Sequence, residues 1–442
     1  MSLTEGKLPQ NSAEAAAARP VRKRALIVSF YWPPSGGGGV QRWLKFAKFL
    51  PGHGWQPIVV TPSNPEVPVY DPTLLDDVTD DIEVWSFPIW EPSRALRRLG
   101  IGGASSRLGA DGAAPTSLAG KIVRWVRGNM FIPDARVGWV RPTTRQLLQR
   151  LKTEPVDVVV TTGPPHSMHL IGLALKRATG LPWVADFRDP WSTMDYLEDF
   201  GLSALSRATL QRMEREVVAE ADCVLVTSPG ALKELGADPR KGHVLPNGWD
   251  RDDFPDRPQP KHPNPKPILG HFGALYGARD PKDLWPALAQ SGWVFRAGGQ
   301  MPDALRTQAS DAGVDMEWMG DLGHQDAIQT MLQCDALLVA HNDSRSARSS
   351  TPGKIFECLA TGLPLIVVGP ANSDLEAHCR NWNVTFVAHG EANASTRIAT
   401  WLKEHAQGHS PRSEDNSAKD SFERHAIASD LADVLNSVHS SR

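Results

Sequence analysis

Residues Pro255 to Pro267 (PDRPQPKHPNPKP) carry six prolines in thirteen positions. Proline fixes φ and donates no backbone hydrogen bond, so this stretch reads as a semi-rigid linker and not as helix or central strand. Before it, strand-length apolar runs at 25–30, 57–60, 156–160, 182–185 and 224–227 alternate with helical patterns at 40–50, 167–179 and 202–221. After it, runs at 268–272, 293–297, 315–319, 336–339 and 365–368 are again separated by helical patterns, with a last helix at 422–438. Alternation twice over predicts two α/β, Rossmann-like domains, each a doubly wound parallel sheet, facing one another across a cleft. The expected boundaries are a disordered tail at 1–23, an N-terminal domain at 24–254, the linker at 255–267 and a C-terminal domain at 268–415. A C-terminal helix at 416–442 is free to return to the N-terminal domain. A chain of 442 residues is in any case too long for one compact core.

Composition excludes several classes. A formal net charge of −3 with 41% apolar and 22% charged residues gives no overall bias toward nucleic acid. Cys223, Cys334, Cys358 and Cys379 fall without C-x-x-C or Cys/His spacing, so neither a disulfide framework nor a zinc site is indicated, and a reducing cytoplasm suits them. No run of about 18 apolar residues occurs, and no signal-peptide core precedes Arg24. Charge is concentrated locally: from Arg94 to Arg150 there are eleven Lys/Arg against two acids. Within this span, Ile122, Val123, Trp125 and Val126 are interleaved with Lys121, Arg124 and Arg127. Such a pattern suits a surface resting on anionic lipid, and the segment Arg94–Leu99 adds a second basic patch. A core-packed helix with a solvated basic face is the competing reading.

The stretch from Ser349 to Val368 carries the most chemistry. Ser350, Thr351 and Gly353 precede a helix starting at Lys354, whose first turn offers free N–H groups and the positive end of the helix dipole to a diphosphate. One turn in, Glu357 can accept two hydrogen bonds from a vicinal diol such as a ribose. Gly362 and Pro364 then end the helix ahead of a buried strand. An ordinary loop–helix–strand unit with a solvated Glu357 is the alternative. Gly36 to Gly39 follow the first strand, and Gly38 and Gly39 let backbone N–H groups approach a phosphate or sugar without Cβ clash. The pattern is not GxGxxG and lacks the following acid, which argues against a dinucleotide.

Other candidates lie at strand ends. Arg279 and Lys354 sit beside glycine-containing loops, where cations could neutralise a departing diphosphate; a surface pair with Asp280 or Asp283 is the other reading of Arg279. Asp186, after the strand at 182–185, is the first choice to orient or deprotonate an acceptor hydroxyl, and Asp189 the second. Capping of a following helix by Asp189, paired with Arg188, competes with that role. No metal site is expected. His166 stands at a helix start on the cleft side and would hold acceptor or phosphate, or be structural. His169 is expected to be structural.

Leu245-Pro246-Asn247-Gly248-Trp249-Asp250, followed by Asp253-Phe254, resembles the PNGxD…F segment of retaining glycosyltransferases of family 4, in the GT-B group. The resemblance takes in the glycine loop, Ala185–Trp191, the turn Gly273–Asp280 and the Lys354…Glu357 helix. It implies a GT-B enzyme, free of metal and other cofactors, that moves a sugar from a nucleotide-diphosphate donor to an acceptor with retention. Asn247 and Gly273 join the donor side on that basis. A lipid-linked saccharide of a surface polysaccharide or exopolysaccharide, met at the inner face of the plasma membrane, is the implied acceptor. The chain departs at one point: the family's signature has two glutamates eight positions apart, Glu357 matches the second, and the first falls on Ser349. A branch with PxKxxE in its place resembles this chain more. The rival enzyme is a sugar-nucleotide epimerase, which needs no second substrate. Ser349 also leaves open a non-catalytic nucleotide-sugar-binding subunit.

Overall fold

The computed structural model describes residues 22–67, 69–91, 118–255, 264–406 and 417–441. The tail expected up to residue 23 (all but its last two residues), the basic patch Arg94–Leu99 and the middle of the proline linker lie outside these. β1 (Lys23–Val28), β2 (Trp55–Pro62), β3 (Glu83–Phe87), β4 (Val158–Thr162), β5 (Trp183–Arg188), β6 (Cys223–Val226) and β7 (Gly242–Val244) form one sheet in the order 3-2-1-4-5-6-7. β8 (Ile268–Phe272), β9 (Val294–Gly298), β10 (Asp315–Trp318), β11 (Ala336–Ala340), β12 (Leu365–Gly369) and β13 (Thr385–Ala388) form the second, in the order 10-9-8-11-12-13. Every pairing is parallel.

The central strands are buried along most of their length because helices cover both faces, which is why they read as continuous apolar runs. β3, β7 and β13 escape a sequence reading. All three lie at or near a sheet edge and are short or partly exposed, so neither periodicity nor apolar content marks them. The helix Gly38–Phe49 buries Trp43, Phe46 and Ala47 on the N-terminal sheet and, on the same element, also buries Arg42 and Lys45.

The last helix, Arg424–Ser440, packs Ile427, Leu431 and Leu435 into the N-terminal core beside Trp43 and Phe46. Its approach is fixed by backbone hydrogen bonds, Trp249 N to Phe422 O at 3.0 Å and Arg424 N to Trp249 O at 2.8 Å. A Cβ at Gly248 would collide with the Phe422 carbonyl, so only glycine lets the chains come this close.

In each sheet the strand order reverses once, between β1 and β4 and between β8 and β11. Connections leave on opposite faces there, opening a crevice at the carboxyl ends of the strands. The glycine loop and His166 rim the first crevice; Gly273 and His341 rim the second.

Candidate functional site

The crevice at β8 and β11 gathers most of the expected donor residues. Gly273 follows β8 with φ 141°, a conformation that L side chains rarely adopt. A Cβ there would run into Lys354 Nζ, so the glycine makes room for the ammonium to lie across the turn. Lys354 Nζ is 3.4 Å from His271 Nε2, while His271 Nδ1 is 3.0 Å from the Leu338 carbonyl. That carbonyl takes the Nδ1 proton and leaves Nε2 as an acceptor toward the lysine. Burial, reinforced by Arg279, pulls the Lys354 pKa down to about 8. A group so strained toward neutrality in a crevice is suited to an incoming anion.

Arg279 is held by Nε donation to Asn342 Oδ1 at 2.6 Å and stacks on Tyr276 at 5.1 Å; it pairs with neither Asp280 nor Asp283. Ser350 Oγ meets His341 Nε2 at 3.0 Å, and the buried Thr351 hydroxyl has no hydrogen-bond partner among the described residues. Gly353 lies against Asn247, which the chain brings over from the other side of the linker, with its side chain 3.6 Å from where a Cβ of Gly353 would stand. Glu357 is 83% buried by side-chain area, and its carboxylate accepts no hydrogen bond among the described residues. Its nearest cation is His324, 3.9 Å away. Burial raises its pKa, against the pull of His324 and Arg424.

The crevice at β1 and β4 differs in one respect from the sequence reading. Asp186 is fully buried, and its carboxylate accepts from Arg42 Nε at 3.0 Å, Arg42 Nη2 at 3.1 Å, Trp43 Nε1 at 2.6 Å and Thr162 Oγ1 at 3.1 Å. Oδ2 takes three of these hydrogen bonds and Oδ1 one, so the carboxylate is engaged mainly within the protein, an arrangement that suits a positioning group better than a base for an acceptor hydroxyl. Arg42 continues to the Pro246 carbonyl at 2.9 Å and Asn247 Oδ1 at 3.4 Å. The pair therefore anchors the Asn247 loop. Asp189 is half-buried and accepts no side-chain hydrogen bond among the described residues; burial raises its pKa against the pull of Arg188.

Arg188 itself has φ 59°, unusual for a residue with a side chain, and donates from Nη2 to the Gly39 carbonyl at 2.6 Å. Gly37 and Gly38 leave their backbone exposed at the start of that helix. His166 is buried, edge-on to Trp191, with Nδ1 unpaired among the described residues. Burial holds its pKa well below 6.5, as it does that of His169, which falls to about 3 and hydrogen-bonds Thr161 Oγ1 at 2.9 Å. Burial favours the neutral form of both rings.

The two sheets meet through polar contacts at the cleft floor. Ser228 Oγ donates to the Ser349 carbonyl at 2.6 Å, Gly230 N to Asp374 Oδ2 at 2.7 Å, and Ser349 Oγ to Glu234 Oε2 at 2.6 Å. Ser349, where the resemblance expects a carboxylate, is thus engaged by a carboxylate of the other domain. Arg42, His271, His324 and Arg424 were not singled out by sequence. A single His or Arg inside an apolar pattern carries no local signal, although a polar residue in the otherwise apolar β8 run ILGHF is a hint.

On the outer face, the helix Leu118–Met130 turns Ile122 (55% exposed), Trp125 (49%) and Met130 (70%) to solvent. Its other side packs at Gly128 against Phe200 and Leu202. Arg124 points inward and Arg127 lies over Phe200 at 5.7 Å, so of the three basic residues only Lys121 is fully on the surface. No helix among the described residues is long and apolar enough to cross a membrane.

Residues 37–248 match the family described as a glycosyl transferase 4-like domain. No curated protein matches the chain in sequence. Among solved structures, sucrose-phosphate synthase from Thermosynechococcus elongatus superposes with a TM-score of 0.63 at 14% identity, covering 95% of this chain and 100% of that one. HepE of Anabaena, in complex with UDP and glucose, gives 0.60 at 16% identity over 94% and 100%. The lipopolysaccharide outer core galactosyltransferase WaaB gives 0.57 at 14% identity over 94% and 99%. The fold is the two-domain GT-B architecture.

Proposed function

We propose that this protein transfers a sugar from a nucleoside diphosphate sugar, bound in the β8/β11 crevice, to an acceptor hydroxyl presented from the β1/β4 crevice. One observation carries the reading: Lys354, Arg279 and a half-sheltered Glu357 without a hydrogen-bonded partner converge at one strand-order reversal. Two cations answer a diphosphate, and an unspent carboxylate answers a ribose diol. As the bond to the diphosphate breaks, negative charge grows on its oxygens, and Lys354 and Arg279 stabilise it most at that point. The match to the glycosyl transferase 4-like domain supports sugar transfer, and the UDP complex of HepE favours a UDP-linked donor.

With Asp186 spent on Arg42, no fixed base at that position takes the acceptor proton. This suits transfer with retention, in which the donor's own phosphate accepts it, and His166 and Asp189 orient hydroxyls. The exposed Ile122–Trp125–Met130 stripe with Lys121 favours a lipid-linked saccharide acceptor at an anionic membrane face. The test is incubation with radiolabelled UDP-, GDP- and ADP-sugars and a membrane extract. Transfer of label to a lipid-extractable product supports the reading. Epimerised donor without transfer, or no turnover of any donor, overturns it.

A further inference from the structure

We infer that His324 is a positioning residue for Glu357, tying that carboxylate to the N-terminal domain through Asp253. The inference rests on the proposed role of Glu357 at the donor ribose. His324 opens the helix His324–Leu332, and its Nε2 lies 3.2 Å from Asp253 Oδ2 and 3.9 Å from Glu357 Oε1. Asp253 closes the turn Arg251–Asp253, just before the linker, and belongs to the N-terminal side. It is fixed there by the fully buried Lys45, 2.8 Å away, which also binds Asp250 at 2.6 Å and Asp77 at 2.7 Å. One imidazole therefore stands between an acid of the N-terminal domain and Glu357.

The geometry makes a division of labour. A single N–H can aim at only one acceptor, and the shorter distance assigns it to Asp253. Glu357 then receives the charge of the ring but not its hydrogen bond, so its oxygens stay open for a diol. Arg424, on the helix that returns to the N-terminal domain, is a second cation facing both acids.

The other charged groups around the ring are Lys45, which opposes its protonation, and Asp76, Asp77 and Asp252, which line the recess beside it, with Asp326 on its own helix. Facing Glu357 are His324, Arg424, Lys354 and Asp253. Burial disfavours the charged ring, but the hydrogen bond to Asp253 and the charges of Glu357 and Asp253 outweigh it, leaving the pKa above 6.5. A group raised in this way contributes its interaction fully below its unfolded value and loses it as pH climbs through the folded one.

The test uses the full chain, first without ligand. NMR titration of the His324 ring is compared in the wild type, Glu357→Gln and Asp253→Asn; the bridge predicts titration above 6.5 and a lower value in each variant. UDP affinity is then measured by calorimetry from pH 6 to 9 in the wild type and His324→Gln. The expected result is roughly three- to ten-fold weaker binding for His324→Gln at pH 6.5, with the curves converging at high pH. Lys354 adds its own pH dependence near 8, common to both proteins. A ring unmoved by Glu357→Gln overturns the inference. So do parallel affinity curves, even with UDP well bound, which leaves the donor reading standing. A coupled ring in a wild type that binds no UDP overturns the donor reading and the positioning role with it.

Discussion

Asp186 and Glu357 are both sheltered carboxylates at the carboxyl ends of parallel sheets, yet their surroundings are opposite. Asp186 accepts four hydrogen bonds, two of them from a buried guanidinium. Glu357 accepts none among the described residues and has only charges at a distance. A buried charge already held by four donors has little capacity left for a ligand and serves the scaffold. An unsaturated one carries a desolvation cost that a ligand can relieve. The comparison, more than the residue type, separates the parts of this cleft that hold the fold from those that await a substrate.

The largest expected effect lies on the scaffold side. Asp186→Ala strands Arg42 in the core and should destabilise the protein by about 3–5 kcal/mol, read by chemical denaturation. Glu357→Gln should do the reverse of harm to the fold. Its folded pKa is raised, so the ionised form costs stability above the unfolded pKa, and a neutral amide removes that cost. Donor binding is where this variant should lose, by about 1.5–3 kcal/mol. If Glu357→Gln unfolds the protein as readily as Asp186→Ala, the distinction fails.

A smaller effect separates the cations. Lys354 has a folded pKa of about 8, below its ordinary 10.5, so its charge costs stability at neutral pH, and that cost fades as pH rises from about 8 to 10.5. Diphosphate affinity should run the other way, falling as pH passes 8, and Lys354→Ala should flatten that fall while lowering kcat more than donor affinity. An unchanged pH profile in Lys354→Ala would remove the lysine from the site. The smallest effect concerns the outer helix: Lys121→Gln should weaken binding to anionic liposomes by about 1 kcal/mol, and Trp125→Ala should weaken it further. Equal co-sedimentation of wild type and both variants would discard the membrane face.

The residues proposed to hold the donor stand out as a group in the sequence because they are local: Ser350, Thr351, Gly353, Lys354 and Glu357 fall within one loop and one helical turn, and Gly273 and Arg279 within one turn after a strand. The proposed acceptor half does not, because its decisive contacts are distant in sequence. Arg42 and Trp43 reach Asp186 across 144 and 143 positions, and no local pattern shows that a carboxylate at a strand end is already spent. His324 is invisible for the same reason, since its meaning comes from Asp253 and Glu357, 71 and 33 positions away. Both sheets were readable from their buried central strands, while the short strands at or near their edges β3, β7 and β13 were not.

The central claim is that Glu357 is left unsatisfied for a ribose diol. Calorimetry of UDP and 2′-deoxy-UDP with the wild type and Glu357→Gln closes a double-mutant cycle on that contact. The account predicts that losing the 2′-hydroxyl weakens wild-type binding by roughly ten-fold, about 1.4 kcal/mol, and leaves the Glu357→Gln affinity nearly unchanged. An equal loss in both proteins would show that the carboxylate does not meet the ribose, and would contradict the account.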